Sequence, residues 1–252
     1  MTASLLMCFD APMQSWGTVA SRFTVRDTAL EPTKSGVIGL LAAALGVGRD
    51  DDEQVAVLAG LRIGVRVDRE GLVESDYHTA QNVPNTSSSN RQTVVTHRYY
   101  LADAVFLLGV EGNDRDLLER LDRAVRRPQW PIYFGRKAFV PARPLVKESN
   151  AEGVLTGSGL VDQPLEDALR THPWLEDRHN ARRSELTNIE KGRSPELRMV
   201  LDCAPSDPDA EVRHDHPVSF ANDARRFRPR TVRITSTPLT TEMITAGDPG
   251  CS

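Results

Sequence analysis

From Ser35 to Gly48 the chain carries no ionisable side chain. A helix that is apolar on nearly every side must be covered on nearly every side. That requirement constrains the fold more than any other stretch does. Pro32 stops any earlier helix, Thr33 or Ser35 offers a cap, and Gly46 and Gly48 end the run, so a helix over residues 34–45 is expected. The apolar core of the run, residues 37–47, is too short for the roughly 18 residues of a membrane span. The helix therefore belongs inside a protein. Its glycines, Gly36 and Gly39 among them, suggest a backbone that comes close to a phosphate, a base or another strand.

The flanking sequence supplies the cover. Residues 4–9 form a short apolar strand, followed by a turn at 10–17 with Pro12 and Gly17. A polar arm, 18–30, carries Arg22 and Arg26. After a short second helix at 50–59, residues 61–68 alternate, with Leu61, Ile63, Val65 and Val67 on one face and Arg62 and Arg66 on the other. That is the period of a strand with one wet face. Residues 72–79 suit its hairpin partner across Arg69-Glu70-Gly71. Residues 81–92 are polar and without structural signal in their composition. Residues 93–110 are extended. Residues 114–127 form an amphipathic helix with Leu117, Leu118, Leu121 and Val125 inward, ended by Pro128. The order strand, helix, strand, strand, strand, helix resembles a βαββαβ ferredoxin-like unit. Its last strand is expected from 132–140 or from later in the chain. Further on, residues 165–175 read as a short helix, 176–195 as a charged connection, and 196–203 and 218–234 as extended.

With 252 residues, 39% of them hydrophobic, a sizeable core is expected. The net charge of −4 excludes a uniformly basic nucleic-acid binder, so any anion site is local. Three scattered cysteines, Cys8, Cys203 and Cys251, suit neither a disulfide framework nor a metal knuckle. The first residues lack a basic, apolar leader pattern, and a cytoplasmic location is the default expectation.

Four stretches carry candidate chemistry. In "PTKSG", residues 32–36, Lys34, the Ser35 hydroxyl and the Gly36 amide make a phosphate seat at a helix N-terminus; a plain cap explains the same residues. A P-loop is excluded, because Thr28 and Thr33 stand where its glycines belong. "RRFRPRTVR", residues 225–233, has five arginines in nine positions around Phe227. It suits phosphate contact with base stacking, or a charged edge strand, or an acidic partner protein. "YFGRKAFVPARPL", residues 133–145, puts Gly135 before Arg136 and Lys137, where backbone can approach closely. The 81–100 stretch brings Arg91, His97 and Arg98 beside Tyr99 and Tyr100. His214 and His216 flank Asp215 without a third ligand at metal spacing, and read as surface histidines. Tyr77, His78, His97 and Lys137 would be needed together for a metal-independent ribonuclease.

"LLMCFDAPMQSWG", residues 5–17, and "RFTVRDTALEPTKSGVIGLLAAALGVGRDD", residues 22–51, closely resemble the CasD family. That family belongs to the RAMP superfamily and to the type I-E CRISPR surveillance complex, Cascade. The shared features are a "PMQ-x-WG" corner, an arm ending in "PTKSG", and a helix ending in "LGVGRDD". "HRYYLADAVFLLGV" and "PIYFGRKAFVPARPL" resemble later family blocks. The resemblance implies an α+β chain: a ferredoxin-like (RRM-like) RAMP domain over 1–145 with a protruding thumb at 77–100, a smaller β-rich part over 146–235, and a tail over 236–252. It implies a non-catalytic subunit that grips the 5′ handle of the crRNA and caps the backbone filament for antiviral DNA interference. Implied partners are the backbone subunit CasC, the large subunit CasA, and target DNA near the PAM, with no cofactor, metal or membrane. The RNA-binding candidates are Gln14, Trp16, Arg22, Arg26, Lys34, Ser35, Gly36, Arg91, His97, Arg98, Arg136 and Lys137. A related branch of the superfamily cuts precursor RNA with a Tyr, a Lys and a His. Here Ala138 follows Lys137, where a Lys-His pair would favour that branch. A metal-independent endoribonuclease remains the alternative.

Overall fold

Every residue of the first strand, β1 (Ala3–Asp10), is buried. A strand buried on both faces belongs inside a sheet covered on both sides. The computed structural model describes residues 2–17, 24–85, 88–148 and 154–246. After β1 come β2 (Met13–Gln14), β3 (Val25–Arg26), α1 (Lys34–Leu45), α2 (Asp52–Ala59), β4 (Arg62–Arg69), β5 (Leu72–Asn85), β6 (Ser88–Ala102), β7 (Val105–Gly112), α3 (Arg115–Arg126), β8 (Gly159–Val161), α4 (Leu165–Thr171), α5 (His179–Glu190), β9 (Glu196–Asp202), β10 (Ala210–Ser219), β11 (Arg226–Pro238) and α6 (Thr241–Thr245).

Seven strands form one antiparallel sheet in the order β10-β11-β9-β4-β7-β1-β8. On one face α1, α2 and α3 bury Val37, Ile38, Leu41, Leu58, Leu118 and Leu121 against Leu5, Met7, Phe9, Ile63, Val65, Phe106 and Leu108. On the other face Leu165, Ala168 and Leu169 of α4 cover Leu6, Cys8, Leu107, Met199 and Leu201. Each fully buried side chain of this size contributes roughly 1.5–3 kcal/mol. Helices α1 and α3 form where caps were expected, and the helix expected over 165–175 ends at Thr171. Thr33 caps α1 by accepting from the Gly36 amide, and Gly46 ends it in the left-handed conformation. Asp114 caps α3, whose inward residues are those expected.

Several expectations are corrected. Strand β4 has no wet face: Arg66 is 0% exposed. Its guanidinium pairs with Asp68 and donates to the carbonyls of Leu169, His172 and Pro173. Strand β5 does not pair with β4. It leaves the large sheet and pairs with β6 in a second sheet, where β6 also meets β2 and β3. The described residues of the polar stretch, 81–85 and 88–92, thus lie in two long paired strands, because backbone pairing does not need apolar side chains. Residues 132–140 form turns rather than a strand. The charged stretch 176–195 contains α5. Strands from before and after residues 145 and 146 share the large sheet, β8 pairing with β1 and β9 with β4. Of the segment read as a tail, residues 236–238 complete β11, and Leu239, Met243 and Ile244 join a small core with Trp174 and Leu197.

Candidate nucleic-acid interface

The expected phosphate seat at the start of α1 is already filled from within the chain. The Lys34 amide donates to Asp215 Oδ2 at 2.7 Å, and the Gly36 amide to Thr33 Oγ1 at 3.3 Å. The Lys34 ammonium turns inward, donating to Asp202 Oδ2 and to the Leu61 carbonyl, both at 2.8 Å, and is 5% exposed. Arg230 closes the ring, gripping Asp215 through Nε and Nη2 at 2.6 and 2.9 Å and contacting Asp202 through Nη1. Burial raises the Asp215 pKa, but the hydrogen bonds and charge of Arg230 and the Lys34 amide outweigh it, so the carboxyl is held below its ordinary range. His216, expected on the surface, is buried beside this ring.

Two more candidates are structural as placed. Gln14 is 0% exposed, and its Nε2 donates to the carbonyls of Phe9 and Ala104 at 3.2 and 2.8 Å. Trp16 stacks on Phe9 at 5.7 Å and leans on Phe134. A Cβ at position 36 would sit 2.9 Å from the indole, which explains the glycine there. The indole nitrogen is buried and meets no hydrogen-bond partner among the described residues.

Beside this corner, the outer side of α1 floors a cleft of about 1190 Å³. The floor is Gly36, Gly39, Leu40, Ala43 and Val47. One wall is the 130–137 loop, anchored to the end of α1 by the amides of Gln129 and Trp130 on the carbonyls of Ala44 and Ala43. Strands β10 and β11 and their connection contribute His214, Phe220, Arg225 and Phe227 to the lining. Arg26, Arg49, Arg136, Lys137 and Arg225 also line it. None of these five makes an ion pair with a described carboxylate, whereas Arg66, Arg69, Arg143, Arg198 and Arg230 all do. Of the two acids lining the cleft, Asp215 is held by Arg230, and Asp27 accepts from the Thr28 amide.

The cations converge. Strand β3 places Arg26 beside Arg98 of β6. Arg136 donates to the Tyr99 carbonyl at 2.7 Å and lies over the Phe139 ring at 5.2 Å. Burial first and then the charge of Arg98 pull the Arg136 pKa down; the charge of Asp76 opposes them, and Arg26 adds to the lowering. Repulsion of that kind is relieved by an anion placed among the three.

The structure thus brings together Arg26, Ser35, Gly36, Arg98, Arg136 and Lys137, and takes Gln14 and Lys34 into the interior. Arg91 and His97 lie exposed along the hairpin, with Tyr77 edge-on to His97 at 5.4 Å; Lys137 lies in the cleft. Arg22 and Cys251 fall outside the described residues. Sequence reasoning missed Arg49, Trp130 and Phe220. The available signal was Trp130, a large apolar residue amid turn-forming sequence after Pro128.

Over residues 4–233 the chain matches the family described as CRISPR-associated protein (Cas_Cas5), and it belongs to that family. Within it, the chain is 32% identical over 158 residues to the CRISPR system Cascade subunit CasD of Escherichia coli K12, a match covering 58% of this chain and 70% of that one. A crystal structure described as a Cas protein is 37% identical, with a TM-score of 0.67, covering 93% of this chain and 95% of that chain. A chain of a CRISPR RNA-guided surveillance complex is 30% identical, with a TM-score of 0.75, covering 95% of this chain and 92% of that chain.

Proposed function

We propose that this chain is a non-catalytic, RNA-binding subunit of a type I-E CRISPR surveillance complex, and that it holds the 5′ handle of the guide RNA in the cleft above α1. The observation that carries the reading is the gathering of cations without acidic partners, Arg26, Arg49, Arg136, Lys137 and Arg225, around an apolar floor with aromatic rims. Phosphates pair with such cations, and unstacked bases suit the floor and rims. The family and the likeness to a surveillance-complex chain support the setting. The body reads as a ferredoxin-like RAMP domain, since β1, α1, β4, β7, α3 and β8 follow the βαββαβ order and their strands lie as β8-β1-β7-β4. In this reading the β5–β6 hairpin is the thumb that docks on a neighbouring backbone subunit of the CasC kind. The large subunit and the PAM-proximal target DNA lie at the handle end.

The test is equilibrium binding of labelled handle RNA to the full chain over a salt series. Single-stranded contacts give a slope of about −0.7 per phosphate neutralised. The pair Arg136→Ala and Lys137→Ala is expected to flatten the slope by about 1.4. An unchanged slope removes the cleft from the interface. Incubation with repeat RNA in chelator is expected to leave the RNA intact; discrete products would overturn the non-catalytic reading.

A further inference from the structure

Among the described residues six large aromatic side chains are buried: Phe9, Trp16, Phe106, Phe134, Phe139 and Trp174. Among the described residues, the large hydrophobics with substantial exposure include three aromatics, Tyr77, Trp130 at 43% and Phe227 at 37%. Two of the three, Trp130 of the 130–137 loop and Phe227 of β11, line the same cleft. Phe220 meets Phe227 edge-on with ring centroids 6.5 Å apart. Phe220 in turn reaches over the floor, its Cζ 3.9 Å from where a Cβ on Gly39 would stand. The glycine leaves that space open. Arg225, two residues before Phe227, and Arg49, whose Nη1 donates to Asn222 Oδ1 of the β10–β11 connection at 3.3 Å, bring positive charge to the same cleft.

We infer that this cleft seats one unstacked nucleobase, with Phe227 as its stacking face and Trp130 as a second ring in the same lining, while Arg225 and Arg49 take the adjoining phosphates. The inference deepens the RNA-binding reading and rests on it. The floor residues Gly39, Leu40, Ala43 and Val47 offer no side-chain hydrogen-bonding group, so the seat accepts any base and favours the larger purine ring by contact area. An acidic peptide would satisfy the rim cations, but it has no flat face for the two rings. A base flanked by phosphates satisfies both.

The test walks a single abasic site along a handle-length RNA and measures binding to the full-length wild type, Phe227→Ala and Phe227→Trp. In wild type, one position is expected to lose about tenfold, the scale of one base–aromatic stack. Phe227→Ala is expected to lose the same factor with intact RNA and nothing more with that abasic RNA, because both remove one contact. Phe227→Trp is expected to restore the loss, which a folding defect would not allow. The salt slope of Phe227→Ala stays that of wild type. Additive losses at every position, or no loss in Phe227→Ala, would overturn the base seat. That outcome with a flattened slope for the Arg136/Lys137 pair would leave RNA in the cleft without the stack. No effect on either readout would remove both. Competition by an acidic peptide as strong as by RNA of equal charge would also overturn the base seat.

Discussion

Gly135 is the residue whose replacement tests the construction of the cleft most directly. Its φ is +88°, and a Cβ there would lie 1.7 Å from the Ser15 carbonyl oxygen, where real Cβ atoms come no closer than 3.0 Å. The clash is with backbone, so no side chain can rotate away. In Gly135→Ala the 134–139 turn must retreat by more than an ångström. That breaks the bond from the Ser15 amide to the Phe134 carbonyl, now 3.0 Å, and shifts Phe134, which is fully buried against Phe9 at 4.8 Å. The left-handed conformation costs an alanine about 1–2 kcal/mol. The lost hydrogen bond adds about 1 kcal/mol, and partial loss of Phe134 packing adds about 1 kcal/mol, a fraction of the roughly 3–5 kcal/mol of a full Phe→Ala cavity. The expected destabilisation is about 3–4 kcal/mol, read from urea unfolding of the full chain. Gly192→Ala is the control: its φ is +72° with nothing within 4 Å, so it is expected to cost only about 1–2 kcal/mol for the conformation. Because the displaced turn carries Arg136 and Lys137, Gly135→Ala is also expected to weaken handle-RNA binding at low salt, while Gly192→Ala leaves it unchanged. Equal losses of stability in the two variants, with unchanged RNA affinity in both, would refute the argument from close approach.

Lys34→Met is expected to destabilise by about 3 kcal/mol, the low end for breaking a buried ion pair, because Asp202 keeps Arg230 and the Ile63 amide. The same variant should leave the salt slope of RNA binding at the wild-type value, since the ammonium lies inside; a flattened slope would return Lys34 to the interface. The His172 ring is held at a pKa of about 4, by burial first and then by the charge of Arg66. The unfolded chain therefore takes up a proton near pH 6.5 that the folded chain refuses. Stability is whole above that pH and declines as pH falls towards 4, by up to about 3 kcal/mol. Urea unfolding at pH 7 and 4.5 should show this decline in wild type and lose that part of it in His172→Gln; an identical decline in both would refute the assignment.

The elements legible in the sequence were those whose signals are local. Helix α3 announces itself through Asp114 and the spacing of Leu117, Leu118, Leu121 and Val125. Helix α1 does so through Thr33, its uncharged body and Gly46. What failed depended on distant partners. Arg66 looked like a wet-face residue because nothing local shows that Asp68 and three carbonyls of the 169–173 segment enclose its charge. Helix α5 went unseen because its one fully buried residue is Arg182, held by the carbonyls of Trp174 and Glu176, and its apolar residues Ala181, Leu186 and Ile189 pack on the small core only half-buried. The pairing of β5 followed the same pattern: the short connection after β4 suggested a hairpin, but β7 and β9 occupy both edges of β4.

Lys34 is the instructive failure. A lysine, a hydroxyl and a glycine at a helix start describe an anion site, and an anion is there: the carboxylate of Asp215, 181 residues away. Once that carboxylate is in place, a phosphate at the same amides would face like charge, so any RNA contact must move outward to Arg26, Arg136, Lys137 and Arg225 on the cleft rim. A buried ring of four charges is a weak source of net stability, because desolvation offsets much of its attraction. Its geometry has a different consequence. Lys34 begins the helix that floors the cleft, Asp215 lies on β10, Asp202 on β9 and Arg230 on β11. Closing the ring fixes the β10–β11 wall, with Arg225 and Phe227, against the floor at a set distance. Ligand sites gain most from groups already held in place, since ordering them on binding costs affinity. The residues that looked like ligands of the RNA instead hold its proposed seat in shape.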